Sequence, residues 1–183
     1  MLIDATSIAG SVPVDLSQTD AYYFSLQKAL GSDGGLWFAF LSPQAVERTA
    51  EVTDKPSSGR WIPAILNLQT AVANSVKNQT LNTPAIATLE LLHSQLQWLD
   101  SLGGLQAAQQ RVRASSEAIY AWAQAQPFAS PFVSDPAKRS PVVSTIEFDA
   151  SVDTAALLQI LRANGIVDAV SYTHLTLPTT PYV

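Results

Sequence analysis

The chain has 183 residues, a formal net charge of -5 and an apolar content of 47%, which suits one globular domain or parts of two. Its acidic balance argues against nucleic acid or an anionic membrane as the main partner. Because it has no cysteine and two histidines, the chain excludes disulfides, thiolate catalysis and cysteine-based zinc sites, and we expect no metal centre.

The amino-terminal stretch and the apolar runs bear on the location of the protein. The first residues, MLIDATSIAG, lack a basic region followed by a long apolar segment and so do not resemble a signal peptide. No apolar run approaches the roughly 20 residues that a membrane span needs. We therefore expect a soluble, cytoplasmic protein.

The first part of the chain predicts β-strands. Apolar and aromatic runs at MLID, DAYYFSL and GLWFAFLS predict three strands, and the small residues of GSDGG end the second. The link between the first two leaves no room for a crossover helix, so we expect the intervening helices elsewhere in a larger protein. The stretch SPQAVERTAEV predicts a short helix with Ser42 as its N-cap and Pro43 at its first position, and residues 51–60 predict a polar loop.

The rest of the chain predicts mainly helices. A long helix is indicated by one apolar stripe, which consists of Leu89, Leu92, Leu96 and Leu99. Gly103 and Gly104 would end it, and a second helix would run to Pro127. The stretch SPVVSTIEFD predicts a strand, and DTAALLQILRANG predicts a helix with an aspartate cap. The change near residue 84 indicates a domain junction, with the long helix joining a sheet domain to a smaller α+β domain.

The last fourteen residues, VSYTHLTLPTTPYV, break with the pattern before them. They contain four threonines and no acidic residue. Their first ten residues can be encoded by a DNA string that resembles a transposon end joined to a sequencing adapter. We expect residues 170–183 to be a non-native tail, so that the native sequence stops near Asp168 or Ala169. The alternative is a disordered natural tail.

Lys28 lies where the second predicted strand gives way to a turn. A lysine there can be a solvated surface charge, a phosphate ligand or a Schiff-base lysine. Asp4 ends the preceding apolar run, so two strand ends would carry a carboxylate and an amine at the same sheet edge. Pyridoxal phosphate enzymes use such a pair, since the amine forms an imine with the cofactor aldehyde and the carboxylate keeps the pyridine nitrogen protonated. Spacing alone is a weak signal here, because aspartate and lysine are common.

Three long segments carry a resemblance to a known family. They are IDATSIAGSVPVDLSQTDAYYFSLQKALGSDGGLWFAFLSPQAVER, VKNQTLNTPAIATLELL and ILRANGIVD. From about Leu2 to Asp168 the chain resembles one bacterial branch of the phosphoserine aminotransferases, which are fold type I transaminases that use pyridoxal 5'-phosphate. The resemblance implies an α/β fold, a mostly parallel sheet whose one antiparallel strand is GLWFAFLS. It also implies that residues 1–83 belong to the cofactor-binding large domain, 84–103 to a linking helix and 104–169 to a truncated small domain.

The resemblance also assigns site residues. It places the ring-nitrogen partner at Asp4, the Schiff-base lysine at Lys28 and a cofactor-phosphate ligand at Gln27. Its NTP motif falls on Asn82 and Thr83, which in the family reach the cofactor phosphate of the neighbouring subunit, so a homodimer is expected. Pro84 would suit the first turn of the following helix. Taken alone, Asn82 and Thr83 would be a helix cap and Asp4 a turn residue. The chain departs from the family at two positions, Leu26 and Ala29, neither of which carries the chemistry.

By this resemblance the enzyme would transfer an amino group between glutamate and 3-phosphohydroxypyruvate, giving O-phosphoserine and 2-oxoglutarate in serine biosynthesis. Relatives also serve pyridoxine biosynthesis. One alternative is another small-substrate transaminase, such as one acting on alanine and glyoxylate. The family's substrate-binding arginines and histidines fall outside the matched segments. The other alternative is therefore a gene fragment, cut at both ends and catalytically inactive by itself.

Overall fold

A computed structural model describes residues 1–54, 59, 61–167 and 169 of the chain. It divides into two compact units, one from Met1 to Ala114 and one from Ser115 onward. The domain limits expected from the sequence, after residues 83 and 103, stay predictions. The expected tail, residues 170–183, lies outside the described residues.

A three-stranded sheet forms the centre of the first unit. Its strands are β1 (Leu2–Asp4), β2 (Ala21–Ser25) and β3 (Trp37–Leu41), in the spatial order β1-β2-β3. β1 and β2 are parallel, whereas β2 and β3 are antiparallel. The three strands expected from the sequence, and the antiparallel direction of the third, are confirmed.

The connection from β1 to β2 contains no α-helix. Residues 5–20 form successive turns and one short 3-10 helix, Leu16–Gln18. A parallel connection needs about a dozen residues or more, and this irregular segment is long enough to cross. We predicted no helix in this connection from the sequence, and β1 and β2 pair directly without one.

The core of this unit lies between the sheet, the turns after β1 and one helix. Its buried residues are Ala5, Ala9, Tyr22, Leu26 and Leu30, with Ile3, Ile8, Val14, Phe24, Leu36 and Leu92 packed against them. Side chains alternate across β2, so Tyr22 is buried while Tyr23 is 42% exposed. The rings of Phe24 and Phe38, from paired positions of β2 and β3, stack with centroids 5.9 Å apart.

In the described part of the first unit, three α-helices precede α4, and the first begins as the sequence predicts. α1 (Pro43–Asp54) follows Ser42, whose Oγ accepts a hydrogen bond from the Ala45 N–H at 3.1 Å. α1 also includes the first four residues of the expected 51–60 loop, and the remainder of that loop is described only at Gly59. α2 (Leu68–Ser75) was not expected, and α3 is Ile86–Ser101.

The second unit begins within the long helix α4 (Gly104–Ala125). It continues with an antiparallel pair, β4 (Ala129–Pro131) and β5 (Ile146–Phe148), and with helix α5 (Thr154–Ala163). The strand expected over SPVVSTIEFD is therefore reduced to three residues, and β4 was not expected. Asp153 caps α5 as predicted, since its Oδ1 accepts from the N–H groups of Ala155 and Ala156, each at 3.0 Å.

Candidate active site

The predicted site lysine lies in the loop of residues 26–36, which joins β2 to β3 and is called the lysine loop below. At its base the Ser25 hydroxyl donates to the Leu36 carbonyl at 2.7 Å. Within it the Ser32 N–H donates to the Leu26 carbonyl at 3.1 Å, which closes a tight turn around Lys28. These bonds give the loop a defined backbone path.

Two leucines fix the direction in which this loop presents its side chains. Leu26 is fully buried and Leu30 is 7% exposed, and both belong to the core cluster. Gln27, Lys28 and Ala29 lie between them and are exposed. Among the described residues, no group forms a hydrogen bond or ion pair with the Lys28 side chain. The loop therefore offers an accessible primary amine with a carboxamide beside it.

Asp4 is the last residue of β1, and Thr6 orients its carboxylate. The N–H and the hydroxyl of Thr6 both donate to Asp4 Oδ1, at 3.0 and 2.7 Å. The Thr6 backbone bond first, then the Thr6 hydroxyl and to a smaller extent the Tyr23 hydroxyl, hold the pKa of the Asp4 carboxyl below its ordinary value. The group therefore carries a negative charge at neutral pH, which suits a cationic partner.

Asp4 and the lysine loop lie at the same end of the parallel strands β1 and β2, where both strands finish. Asp4 pairs with Tyr23 in the parallel register of β1 and β2, and the lysine loop begins after Ser25. Because the two strands run in the same direction, both chain segments leave the sheet at its carboxyl edge, where α/β enzymes bind their ligands. The juxtaposition expected from the sequence is present in the backbone.

Asn82 and Thr83 lie elsewhere in the first unit. They are exposed and line an open surface concavity of about 750 Å³, together with Asn78, Gln79, Thr80, Leu81, Pro84 and Leu89. The Thr80 hydroxyl donates to the Asn82 carbonyl. None of Asp4, Gln27 or Lys28 lines this concavity.

The start of α3 excludes the alternative that Asn82 or Thr83 is a helix cap, and it corrects the position predicted for Pro84. Its N-cap is Ala85, which makes no side-chain capping bond, so neither Asn82 nor Thr83 caps the helix. Pro84 precedes the N-cap and does not lie in the first turn, because the chain is still extended at Ala85 (φ -70°, ψ 95°). With the capping role excluded, the polar groups of Asn82 and Thr83 are left on the surface.

An apolar cavity of about 490 Å³ lies at the opposite end of strands β1 and β2. It is lined there by Leu2, Ala21 and Leu41 and closed by residues of α1 and of the segment before α2. It contains none of the predicted site residues, so the presence of an apolar cavity alone does not indicate where the chemistry occurs. We take the carboxyl ends of β1 and β2 as the candidate site, because Asp4 ends β1 there and the lysine loop follows β2 there.

Two polar residues near the site were missed by the sequence reasoning. Thr6 holds Asp4, and an Asp with Thr two positions later is the pattern of a local turn in which the aspartate accepts the later N–H. Ser32 donates to the Thr88 carbonyl at 2.8 Å, and no local pattern indicates that bond because the partners are far apart in sequence.

None of the helices within the described part of the chain has the length and apolarity of a transmembrane segment.

Known proteins share both the sequence and the fold. The phosphoserine aminotransferase of Corynebacterium glutamicum is 56% identical over 173 residues, which make up 94% of this chain and 45% of that protein. A phosphoserine aminotransferase structure from Cytophaga hutchinsonii matches with a TM-score of 0.75 at 18% identity, covering 89% of this chain and 44% of that one. An alanine–glyoxylate aminotransferase structure from Nostoc sp. matches with a TM-score of 0.69 at 23% identity, covering 89% and 42%.

These matches define what the chain is part of. It spans less than half the length of the relatives it matches, and the two structures show the shared α/β fold of fold type I aminotransferases, of which this chain holds a part. The family model of aminotransferase class V matches residues 1–171. The chain belongs to the class-V aminotransferase family.

Proposed function

We propose that the whole protein is a phosphoserine aminotransferase that exchanges an amino group between glutamate and 3-phosphohydroxypyruvate, in serine biosynthesis and in pyridoxine biosynthesis. One observation carries the proposal. A chain 56% identical to a phosphoserine aminotransferase places an ionised Asp4 and an accessible Lys28 at the same carboxyl edge of parallel strands. The sequence identity favours phosphoserine over alanine and glyoxylate, since the structural likeness includes enzymes of both names.

The family implies pyridoxal phosphate, and the residues at this edge fit that cofactor. When bound, the cofactor supplies an aldehyde and a ring that accepts electrons from the substrate Cα. The Asp4 carboxylate, kept ionised by Thr6, suits a protonated ring nitrogen. Lys28 supplies the amine that would hold the aldehyde carbon, and the Gln27 carboxamide supplies a donor for the phosphate.

Each side chain then has a defined task in the reaction. Lys28 would move the proton at the substrate Cα as a general base and acid, and its exposed position in the lysine loop leaves it accessible for this role. Asp4, whose pKa is held low by Thr6, would supply a negative charge to the ring nitrogen. Gln27 would orient the phosphate end, and it carries no charge that would compete for the proton.

Asn82 and Thr83 would act in a homodimer, on the cofactor phosphate bound by the partner subunit. Both residues are exposed, are distant in sequence from Lys28 and do not cap α3. These features support the role. A cytoplasmic location and the small substrates phosphoserine, glutamate and 2-oxoglutarate belong to the same proposal.

The cofactor lysine can be tested directly on this chain. The chain is incubated with pyridoxal phosphate and reduced with borohydride, which fixes the cofactor on the lysine that holds it, and peptide mapping locates that lysine. We expect Lys28 to be modified in preference to the exposed Lys77, and Lys28→Ala to abolish the preference while Lys77→Ala leaves it. Equal modification of both lysines in the wild type would refute the assignment of Lys28.

Catalysis can be tested in a chimera in which residues 1–167 replace the matching segment of the C. glutamicum enzyme. We expect the chimera to form 2-oxoglutarate from glutamate only when 3-phosphohydroxypyruvate is present. Lys28→Ala should lower kcat by about 10²-fold or more, which is the usual contribution of a general base. A folded, dimeric chimera with no activity, beside an active unmodified relative, would contradict the proposal.

A further inference from the structure

One buried hydroxyl connects the lysine loop to α3. Ser32, which is 8% exposed, donates from Oγ to the carbonyl of Thr88, which is 6% exposed, at 2.8 Å. The N–H of Ser32 also donates to the Leu26 carbonyl and so closes the turn around Lys28. The same residue therefore shapes the loop and attaches it to the helix.

Two further contacts from α3 reach the same loop. The Gln95 carboxamide donates from Nε2 to the Gly31 carbonyl at 3.3 Å, and Leu92 packs on the core cluster that contains Leu26 and Leu30. Thr88, Leu92 and Gln95 are spaced four and three residues apart, so they lie on one face of the helix. This face shares Leu92 with the leucine stripe expected from the sequence, and it holds the loop along two turns of α3.

The amino end of α3 follows directly after Asn82 and Thr83. Thr88 is the third residue of the helix and lies five positions after Thr83. The bond from Ser32 therefore attaches the lysine loop close to the segment that carries the proposed phosphate ligands. A shift of the loop against α3 would change the position of Lys28 relative to that segment.

We propose that Ser32 is a positioning residue for Lys28, assisted by Gln95, and that it acts by fixing the lysine loop on the first turns of α3. The inference rests on the proposed function, because it assumes that Lys28 holds the cofactor. Buried hydroxyl groups are worth most when their hydrogen bond is made, and Ser32 has its acceptor at 2.8 Å in a water-poor setting. Neither Ser32 nor Gln95 would touch the substrate.

Two variants and two matched controls test the attachment. Ser32→Ala removes the hydroxyl, and its control is Ser11→Ala, which removes another buried hydroxyl (Ser11 is 2% exposed) bonded within its own turn to Ile8. Gln95→Met removes the amide donor, and its control is Gln97→Met at an exposed position of the same helix. If Ser32→Ala does not fold, Gln95→Met carries the test, since that position is only partly buried.

The first readout needs no cofactor. Hydrogen exchange of the amides at positions 31 and 32, measured by NMR on the full chain, reports opening of the loop. We expect exchange about fivefold faster in Ser32→Ala, which corresponds to the net value of one hydrogen bond, and a smaller change in Gln95→Met. The two controls should leave these amides unchanged. Unchanged exchange in Ser32→Ala would overturn the proposal, because the bond would then not hold the loop.

The second readout is the ratio of cofactor fixed on Lys28 to cofactor fixed on Lys77 after borohydride reduction. We expect the ratio to fall in Ser32→Ala and Gln95→Met and to stay at the wild-type value in both controls. A normal ratio in a variant with faster loop exchange would overturn the positioning role while leaving the function of Lys28 intact. A wild-type ratio near one would instead refute the cofactor role of Lys28, and the inference with it.

Discussion

At the scale of single residues, the charge of Asp4 depends on one threonine. Thr6 gives Oδ1 both a backbone and a hydroxyl hydrogen bond, and together they lower the pKa of the carboxyl. A carboxyl whose pKa is lowered on folding stabilises the protein above its unfolded pKa of about 3.9. That contribution is lost as the pH falls through the lower, folded value.

Replacing Thr6 by Val should raise the pKa of Asp4, because the hydroxyl donor is lost while the N–H donor remains. The carboxyl should still titrate below its ordinary value and stay ionised at neutral pH. An NMR titration of the Asp4 carboxyl carbon measures this directly, with Thr6→Ser as the control that retains a hydroxyl. The free energy of unfolding should differ between Val and Ser variants less at pH 2 than at pH 6. An unshifted pKa in the valine variant would show that the hydroxyl does not act on Asp4.

Gly31 and Gly35 of the lysine loop both have a positive φ, but only Gly31 lies close to another side chain. Gly31 has φ +67°, and a Cβ there would lie 2.9 Å from Gln95 Nε2. Gly35 has φ +92°, and a Cβ there would meet nothing within 4 Å. Both positions lie in the left-handed region, where a side chain costs about 1–2 kcal/mol.

Gly31→Ala should therefore destabilise the chain more than Gly35→Ala does. Gly35→Ala should cost about 1 kcal/mol from strain alone, and Gly31→Ala should add the loss of the Gln95 contact, for about 2 kcal/mol in total. Urea denaturation of the two variants and the wild type gives both values. If the two costs were equal, Gln95 would move aside freely and its contact with Gly31 would contribute nothing.

At the scale of elements, the cap of α5 carries a prediction for the second unit. Asp153 Oδ1 accepts from two backbone N–H groups that have no partner within the helix. Asp153→Ala should lower the free energy of unfolding of this unit by about 1 kcal/mol, measured by urea denaturation. Asp153→Asn keeps the acceptor and should recover most of the loss. An alanine variant as stable as wild type would mean that packing alone fixes the start of α5.

Elements with strong local signals were predicted from the sequence, and elements with competing local bonds were not. The cap of α1 at Ser42 was found because Ser-Pro is a direct helix-start signal. The strand over SPVVSTIEFD was overestimated because Ser140 Oγ accepts from the N–H groups of Val142 and Val143, at 3.2 and 3.3 Å. Those bonds form a local turn and remove both residues from the sheet ladder.

The candidate site shows the same division. That Asp4 and the lysine loop follow parallel strands at the same end could be predicted, because strand ends are visible as the points where apolar runs stop. The bond from Ser32 to Thr88 could not be predicted, since its partners are 56 positions apart and each looks like an ordinary loop or helix residue. Long-range polar contacts depend on packing that no local window of sequence contains.

At the scale of the whole molecule, the sheet has unusual apolar exposure. In the described part of the chain, β1 and β3 are the edges of the three-stranded sheet and pair only with β2. Leu2 on β1 is 76% exposed, and Trp37 and Phe40 on β3 are each 55% exposed. Apolar edge strands with open backbone groups favour pairing with another chain. The chain spans 45% of its C. glutamicum relative, which therefore has further segments to place against such surfaces.

The isolated chain should therefore self-associate, and Trp37→Lys should weaken the association. A lysine on the edge strand opposes pairing through its charge, and Trp37 can be replaced with little effect on the core because it makes no ring contact among the described residues. We expect the apparent Kd from sedimentation equilibrium to rise about tenfold, equivalent to about 1.4 kcal/mol.

The control is Trp61→Lys, which removes a tryptophan that is 83% exposed and lies outside the strands. An equal rise in the apparent Kd for the two variants would show that nonspecific hydrophobic contacts of exposed rings cause the association. A smaller rise in the apparent Kd for Trp61→Lys than for Trp37→Lys would show that the association depends on the edge strand β3. The chimera with the C. glutamicum enzyme should then lose this association, because the relative's own segments would compete for the same edge strand.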